Sequence, residues 1–232
     1  MIKLIVSDID GTLLPYGSAA LDEKLFELIL RLRERGVIFC PASGRQYHSL
    51  RALFAPVCDE LTYLCENGAI VYGPGPEDKA AVLGKTVMDR ETALDLVRDI
   101  KGNNVAVIDR PEDVPEDIIK LATYCPEGTG PTRHALGPKW DGRLSMCSAG
   151  PDWVDFTIAD KALGLETLCA ALGVDPGECA AFGDNWNDAP MLKKAGRGYI
   201  MATSDPNLRA QFALQCENVE KVLENFLETG EI

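Results

Sequence analysis

Asp8 and Asp10 stand one residue apart at the end of the apolar run Ile2-Lys3-Leu4-Ile5-Val6-Ser7, and Gly11 follows at once. Two carboxylates this close repel each other unless a cation or a proton neutralises them. Burying them without a partner costs roughly several kcal/mol. The pair therefore asks for a metal, a proton, or both. Three further polar clusters lie along the chain: Ser43-Gly44-Arg45, Lys161, and Gly183-Asp184-Asn185-Trp186-Asn187-Asp188. Together the four offer at least three carboxylates, a hydroxyl and an ammonium. Oxygen ligands without His or Cys select a hard cation such as Mg2+. Mg2+ beside a carboxylate nucleophile, a hydroxyl and a lysine is the equipment of phosphoryl transfer, which needs positioning and neutralisation of charge on the phosphoryl oxygens.

The elements that must carry these residues follow from the hydrophobic pattern. The run before Asp8 fits a strand buried on both faces of a parallel sheet. Leu21, Leu25, Leu28, Ile29 and Leu32 recur at helical spacing, and the helix stops near Gly36. Val37 to Cys40 is a second buried strand, ending in the Ser43 cluster. A helix through Leu50 and Leu53 follows. Leu61 to Cys65 is a third strand, and Glu66-Asn67-Gly68 turns the chain into a short strand over Ala69 to Tyr72. Alternating strands and helices predict an α/β fold with a doubly wound, mostly parallel, Rossmann-like sheet. In such sheets ligands bind at the carboxyl ends of the strands, where Asp8, Asp10 and Ser43 fall.

The rhythm breaks at Gly73-Pro74-Gly75-Pro76, which reads as a linker. Beyond it lie a helix over Arg90 to Lys101, strands over Val105 to Asp109 and Ile118 to Tyr124, and a loop-rich run from Cys125 to Asp141. Strands over Arg143 to Ser148 and Trp153 to Ile158 complete a small α+β insert. The expected division is a core of 1–75 and 155–232 around an inserted domain of 76–154. The first texture then returns. Lys161 opens a helix with Asp160 as N-cap and Gly173 as stop. Cys179 to Phe182 is a strand ending in the Asp184 cluster, and Pro190 sits in the first turn of the next helix. Tyr199 to Met201 is a last strand, and helices over Leu208 to Ala213 and Val219 to Leu227 close the chain.

Composition narrows the class. The 232 residues are 46% hydrophobic and 25% charged, as in ordinary globular proteins. No apolar run approaches the roughly 18–20 residues of a membrane span, and no leader segment is expected before the first strand. A cytoplasmic location with no membrane partner is expected. The net charge of −13 argues against nucleic acid as a partner. It does not exclude anionic substrates, because a metal ion and a few Lys or Arg reverse the sign locally. None of the eight cysteines is spaced C-x-x-C, which favours reduced thiols used as small core residues. Monomer and homodimer are both compatible with this composition.

The clusters also resemble a known family. Asp8-Ile9-Asp10-Gly11-Thr12-Leu13-Leu14 looks like the first motif of the haloacid dehalogenase superfamily. Ser43-Gly44-Arg45 is similar to its second motif, Lys161 to its third, and Gly183 to Asp188 to its fourth. Ala195 to Ala202 resembles the family's late Gly-to-Met-Ala segment. The likeness covers nearly all of 1–72 and 153–232. The insert stands where the family places a type-2 cap, and the Ser-Gly-Arg and Glu-Asn-Gly-Ala segments look most like the Cof-type branch. Two departures are Ala162, where the branch usually has glycine, and an insert of about 80 residues, short for the branch.

The resemblance implies a Mg2+-dependent phosphatase acting on a small phosphorylated metabolite such as a sugar phosphate. It implies Asp8 as the nucleophile that forms an aspartyl-phosphate. Asp10 would act as acid and then base, with its backbone carbonyl also on the metal. Asp8, Asp184 and Asp188 would stand at the metal, with Asp188 also supporting the metal water and Lys161. Ser43 and Lys161 would hold the phosphoryl oxygens, with Gly44, Arg45, Asn67 and Asn187 around the bound phosphate. The insert would close over the site and choose the substrate.

Each residue also has a plain reading. Asp10-Gly11 suits a turn, Asp188 an N-cap, Asn67 turn chemistry, and Lys161 a solvated helix face. Arg45 either pairs with a core acid or touches substrate. Trp140, Trp153 and Arg143 read as packing or surface residues, or as substrate contacts within a lid. The aspartate at position 10 separates this chain from dehalogenases, which lack it, and from ion-pump relatives, which carry threonine. A phosphosugar mutase of the same superfamily is the rival enzyme, and a metal-dependent phosphate-ligand binding module is the rival outside catalysis. No EF-hand loop fits around Asp8, and no Walker-type lysine loop is present.

Overall fold

The computed structural model describes residues 1–99, 115–149 and 151–232. Strand β1 (Leu4–Asp8) is buried along its whole length. Helix α1 (Glu23–Glu34) starts at Asp22, whose side chain accepts from Lys24 N at 2.9 Å, and buries its leucine stripe. Then come β2 (Ile38–Ala42), α2 (Tyr47–Leu53), β3 (Tyr63–Cys65), β4 (Ile70–Tyr72) and β5 (Val82–Lys85). The insert contributes α3 (Arg90–Asp99), β6 (Leu121–Tyr124), α4 (Thr129–Trp140), β7 (Ser145–Ser148) and β8 (Trp153–Thr157). The chain returns through α5 (Lys161–Leu172), β9 (Cys179–Gly183), α6 (Ala189–Lys194) and β10 (Arg197–Met201). It ends in α7 (Pro206–Arg209), β11 (Leu214–Cys216) and α8 (Val219–Thr229).

These elements pack as two units, Met1–Gly84 with Lys161–Ile232, and Lys85–Asp160. The first holds an eight-stranded sheet in the order β11-β10-β9-β1-β2-β3-β4-β5. Pairing is parallel from β11 through β3 and antiparallel between β3 and β4. Leu4 and Val6 of β1 pack with Leu165 and Leu168 of α5 and with Met191 and Leu192 of α6. Alternation along the strand sends Ile5 to the other face, where α1 packs with α8 and β2. Helices thus cover both faces of a mostly parallel sheet, the fold class read from the sequence. The second unit is a three-stranded antiparallel sheet, β6-β8-β7, with a core of Val154, Phe156, Trp140, Leu96 and Leu136.

Several elements differ from expectation. The Gly-Pro stretch at 73–76 opens a turn back into the core sheet: Gly73 N donates to Ala81 O at 2.8 Å, and β5 forms the sheet's edge. The units divide at 84/85 and 160/161 rather than at 75/76 and 154/155. Strand β2 runs through Pro41 to Ala42, because its register with β1 continues to Asp8↔Ala42. Much of the expected loop at 125–141 is helix α4, despite two glycines and two prolines. Pro131 lies in its first turn, where the missing N–H costs nothing. The burial of Leu136 and Trp140 stabilises the remainder. Residues 214–216, between the two helices expected to close the chain, form the edge strand β11. The expected strand at 105–109 and the last two residues of the helix expected to end at Lys101 lie outside the described residues.

All eight cysteines are free thiols, six of them buried. Among the described residues no helix is long and apolar enough to cross a membrane.

Candidate active site

Register brings the clusters together before any side chain is considered. Asp8 ends β1 opposite Ala42 of β2, and Ser7 lies opposite Phe182 of β9. The loops carrying Asp10, Ser43 and Asp184 therefore leave the sheet side by side. Strand order reverses here, with β2 on one side of β1 and β9 on the other, the kind of switch point at which open α/β sheets bind their ligands.

Lys161, the first residue of α5, enters the crevice from above β3 and is 1% exposed. Its position depends on close packing of that helix: a Cβ on Gly164 would stand 2.7 Å from Gly68 Cα, so only glycine lets the helix approach the turn after β3. The Lys161 ammonium bridges two buried carboxylates. It donates to Asp8 Oδ1 and, at 2.6 Å, to Asp188 Oδ1. Burial alone would lower its pKa, but Asp188 and Asp8 outweigh burial and hold it charged. Asp188 Oδ2 accepts from the backbone of Asp184 at 3.1 Å and of Asn185 at 3.0 Å. Both Asp188 oxygens are thus engaged with the protein, and the residue braces its own loop.

Asp8 Oδ2 is buried with no hydrogen-bond partner among the described residues. Asp8, Asp184 and Asp188 each offer a carboxylate oxygen within 4.8 Å of the others. Burial raises the Asp8 carboxyl above its usual range, and Asp188 and Asp184 add to this against Lys161. Burial likewise pushes Asp184 up to about 6, with the Tyr16 hydroxyl opposing. Such a site gains by acquiring positive charge. Four carboxylates, on Asp8, Asp10, Asp184 and Asp188, face the cations of Lys161 and Arg45. When all six are ionised, two negative charges remain, those of one divalent cation. The all-oxygen donors and the orphaned Asp8 oxygen fit a hard ion of that charge.

Asp10 points elsewhere. Arg45 grips its carboxylate through Nε at 3.0 Å and Nη2 at 2.6 Å, so the Asp10 side chain is not part of the three-carboxylate cluster. Of the two roles open to Arg45, the structure displays pairing with an acid. Ser43 is buried, and its Oγ accepts from Arg45 N at 3.2 Å. Asn67 N donates to Ser43 O at 3.0 Å, and Glu66 N to Arg45 O at 3.2 Å, tying the loops after β2 and β3 together. A Cβ at Gly44 would lie 3.0 Å from Asn67 Nδ2, so the Asn67 amide rests against that loop. Asn187 is half-buried in the Asp184 loop.

Three features escaped sequence reasoning. Glu66 and Asn67 both have left-handed backbones, with φ of +52° and +55°. For non-glycine residues this stores about 1–3 kcal/mol each, and asparagine before glycine was the visible signal. Thr12 Oγ1 is buried with no partner among the described residues. Tyr16, which no sequence motif singles out, donates its hydroxyl to Asp184 Oδ2 at 2.9 Å. Trp140 is a core residue of the insert, and its ring nitrogen donates to Asp99 at 2.9 Å.

Known proteins resemble this chain over nearly its whole length. A family model described as haloacid dehalogenase-like hydrolase matches residues 5–113 and 121–222. The chain is 26% identical to the 5-amino-6-(5-phospho-D-ribitylamino)uracil phosphatase YbjI of Escherichia coli, over 96% of this chain and 94% of that protein. It is 27% identical to a phosphoglycolate phosphatase of Methanopyrus kandleri, with the same coverage. It is 26% identical to an HMP-PP phosphatase of Escherichia fergusonii, over 91% of this chain and 88% of that one. A solved structure from Eubacterium rectale superposes with a TM-score of 0.74 at 28% identity, covering 97% of this chain and 99% of that one.

Proposed function

The chain belongs to the haloacid dehalogenase-like hydrolases, and on that premise we propose that it is a Mg2+-dependent phosphatase working through an aspartyl-phosphate on Asp8. Its substrate class is the small phosphorylated metabolites, the class on which similar phosphatases act. One observation carries the reading: a buried carboxylate, Asp8, is held by a buried ammonium on one oxygen and, among the described residues, has no partner on the other.

In the proposed reaction an Asp8 oxygen attacks the phosphorus and the phosphorus–ester oxygen bond breaks. Asp10 gives its proton to the departing oxygen. A water then attacks the phosphorus, Asp10 takes up its proton, and the phosphorus–Asp8 bond breaks to release inorganic phosphate. Ser43 and Lys161 hold the phosphoryl oxygens, with Gly44, Arg45, Asn67 and Asn187 around them. Asp8, Asp184 and the Asp10 backbone carbonyl would hold Mg2+, and Asp188 would brace Asp184 and Lys161. When bound, the ion supplies positive charge against the phosphoryl oxygens. The Asp10 side chain must leave Arg45 to reach the leaving oxygen.

The test is phosphate release from a panel of sugar phosphates, phosphoglycolate, phosphoribitylamino-uracil, HMP-PP and an aryl phosphate. It is run with Mg2+, with chelator, and with Asp8→Asn. Release that needs the metal and vanishes in the variant is expected. Release by Asp8→Asn at a rate near that of the parent would overturn the assignment of the nucleophile.

A further inference from the structure

Tyr16 lies outside the four sequence clusters, yet its hydroxyl donates to Asp184 Oδ2 at 2.9 Å. The chain leading to it is closed at each step. Leu14 N donates to Ile9 O at 2.8 Å and Gly11 N to Leu14 O at 2.9 Å, folding the loop after β1 back on itself. Ser18 N then donates to Pro15 O at 2.9 Å, and Gly17 adopts φ of +88°. This is a four-residue turn that needs glycine at its third position and carries Tyr16 at its second. A Cβ on Gly11 would stand 2.1 Å from Asp184 Oδ2 and 2.8 Å from Tyr16 Cε2, so the carboxylate and the ring close together over Gly11. Tyr16 is 75% exposed. Burial does not hold it in place; the turn and the bond to the carboxylate do.

We propose that Tyr16 is a positioning residue for the cation site: its hydroxyl occupies Asp184 Oδ2, fixes the carboxylate and leaves Oδ1 to the ion. The proposal rests on the metal reading above. A carboxylate free to rotate must be ordered when the ion binds, whereas one already hydrogen-bonded is pre-set. Loss of such an outer partner typically weakens metal affinity by about 10–100-fold. The residue acts through Asp184 and need not touch the substrate.

The test is calorimetric titration of Mg2+ into the full chain, without substrate, for the parent, Tyr16→Phe and Tyr16→Leu. Both variants are expected to bind Mg2+ about 10–100-fold more weakly. Phe should be as weak as Leu, because the hydroxyl makes the bond. In chelator, the melting temperature of Tyr16→Phe should equal that of the parent, which separates loss of positioning from misfolding. Parent-like affinity in Tyr16→Phe overturns the proposal. A loss confined to Tyr16→Leu also overturns it, by assigning the effect to the ring. A parent that binds no Mg2+ overturns the metal reading itself.

Discussion

Arg45 holds Asp10 with a two-pronged ion pair, Nε to Oδ2 at 3.0 Å and Nη2 to Oδ1 at 2.6 Å, and so keeps the Asp10 side chain out of the carboxylate cluster. Both side chains are more than a third exposed, at 36% and 44%, so the pair adds about 1 kcal/mol or less to stability. Its weight should fall on function. Arg45→Ala is expected to melt within a few degrees of the parent while losing about 10²-fold in kcat/KM through loss of a cation beside the bound phosphate. Arg45→Lys keeps the charge but not the planar fork and should recover only part of the loss. Steady-state kinetics on the preferred ester check this, and an unchanged kcat/KM in Arg45→Ala would contradict it.

Lys161 has the opposite balance, because it and its two partners are all buried. Removing one member of a buried ion group leaves charge uncompensated and costs about 3–5 kcal/mol. Lys161→Met should lose that much in urea unfolding and lose turnover as well. Adding Asp188→Asn to it should recover part of the stability and none of the activity. A Lys161→Met protein as stable as the parent would show that the ammonium does not hold the cluster.

The raised carboxyls set a pH dependence for the metal-free protein. Asp8 is raised to about 7, by burial first, then by Asp188, against Lys161. Asp184 is raised to about 6, again chiefly by burial. In the unfolded chain both titrate near about 4. Between those values the folded protein binds more protons, so the stability these groups contribute is fully present below about pH 4. It is lost as pH rises through about 6 and 7. A divalent cation replaces the missing protons. The rise in melting temperature that Mg2+ produces over chelator should therefore be larger at pH 8 than at pH 5. Thermal scans check this, and an equal or larger rise at pH 5 would contradict it.

Gly11 and Gly17 both have positive φ, at +95° and +88°, but only Gly11 is enclosed. Gly17→Ala should cost only the backbone penalty of about 1–2 kcal/mol. Gly11→Ala carries that penalty and also drives a methyl into Asp184 and Tyr16. It should lose activity out of proportion to its loss of stability. Comparing chemical denaturation with phosphate release for the two variants decides the matter, and matching activity losses would contradict it.

What could be read in the sequence, and what could not, follows physical lines. Asp8 and Asp184 were visible because buried strands are continuous apolar runs, and an acid at the end of such a run has few structural reasons to be there. Lys161 stood out only once the neighbouring clusters gave it a place. The core sheet and the insert's existence followed from the same runs. Helix α4 was hidden by Pro131, Pro138 and two glycines, whose local cost is outweighed by burial of Leu136 and Trp140. Strand β11 is three residues long, too short for any periodicity. The partner of Arg45 and the reach of Tyr16 depend on how loops fold over one another, which no spacing along the chain records.

The covalent step is the centre of the account, and acid quenching during turnover tests it most directly. With a reactive ester and Mg2+, the quenched protein should carry phosphate on one peptide, the one containing Asp8. The adduct should be sensitive to hydroxylamine and missing from Asp8→Asn. Turnover by the parent with no phosphate on that peptide, or with phosphate on another residue, would contradict the assignment of Asp8 as nucleophile.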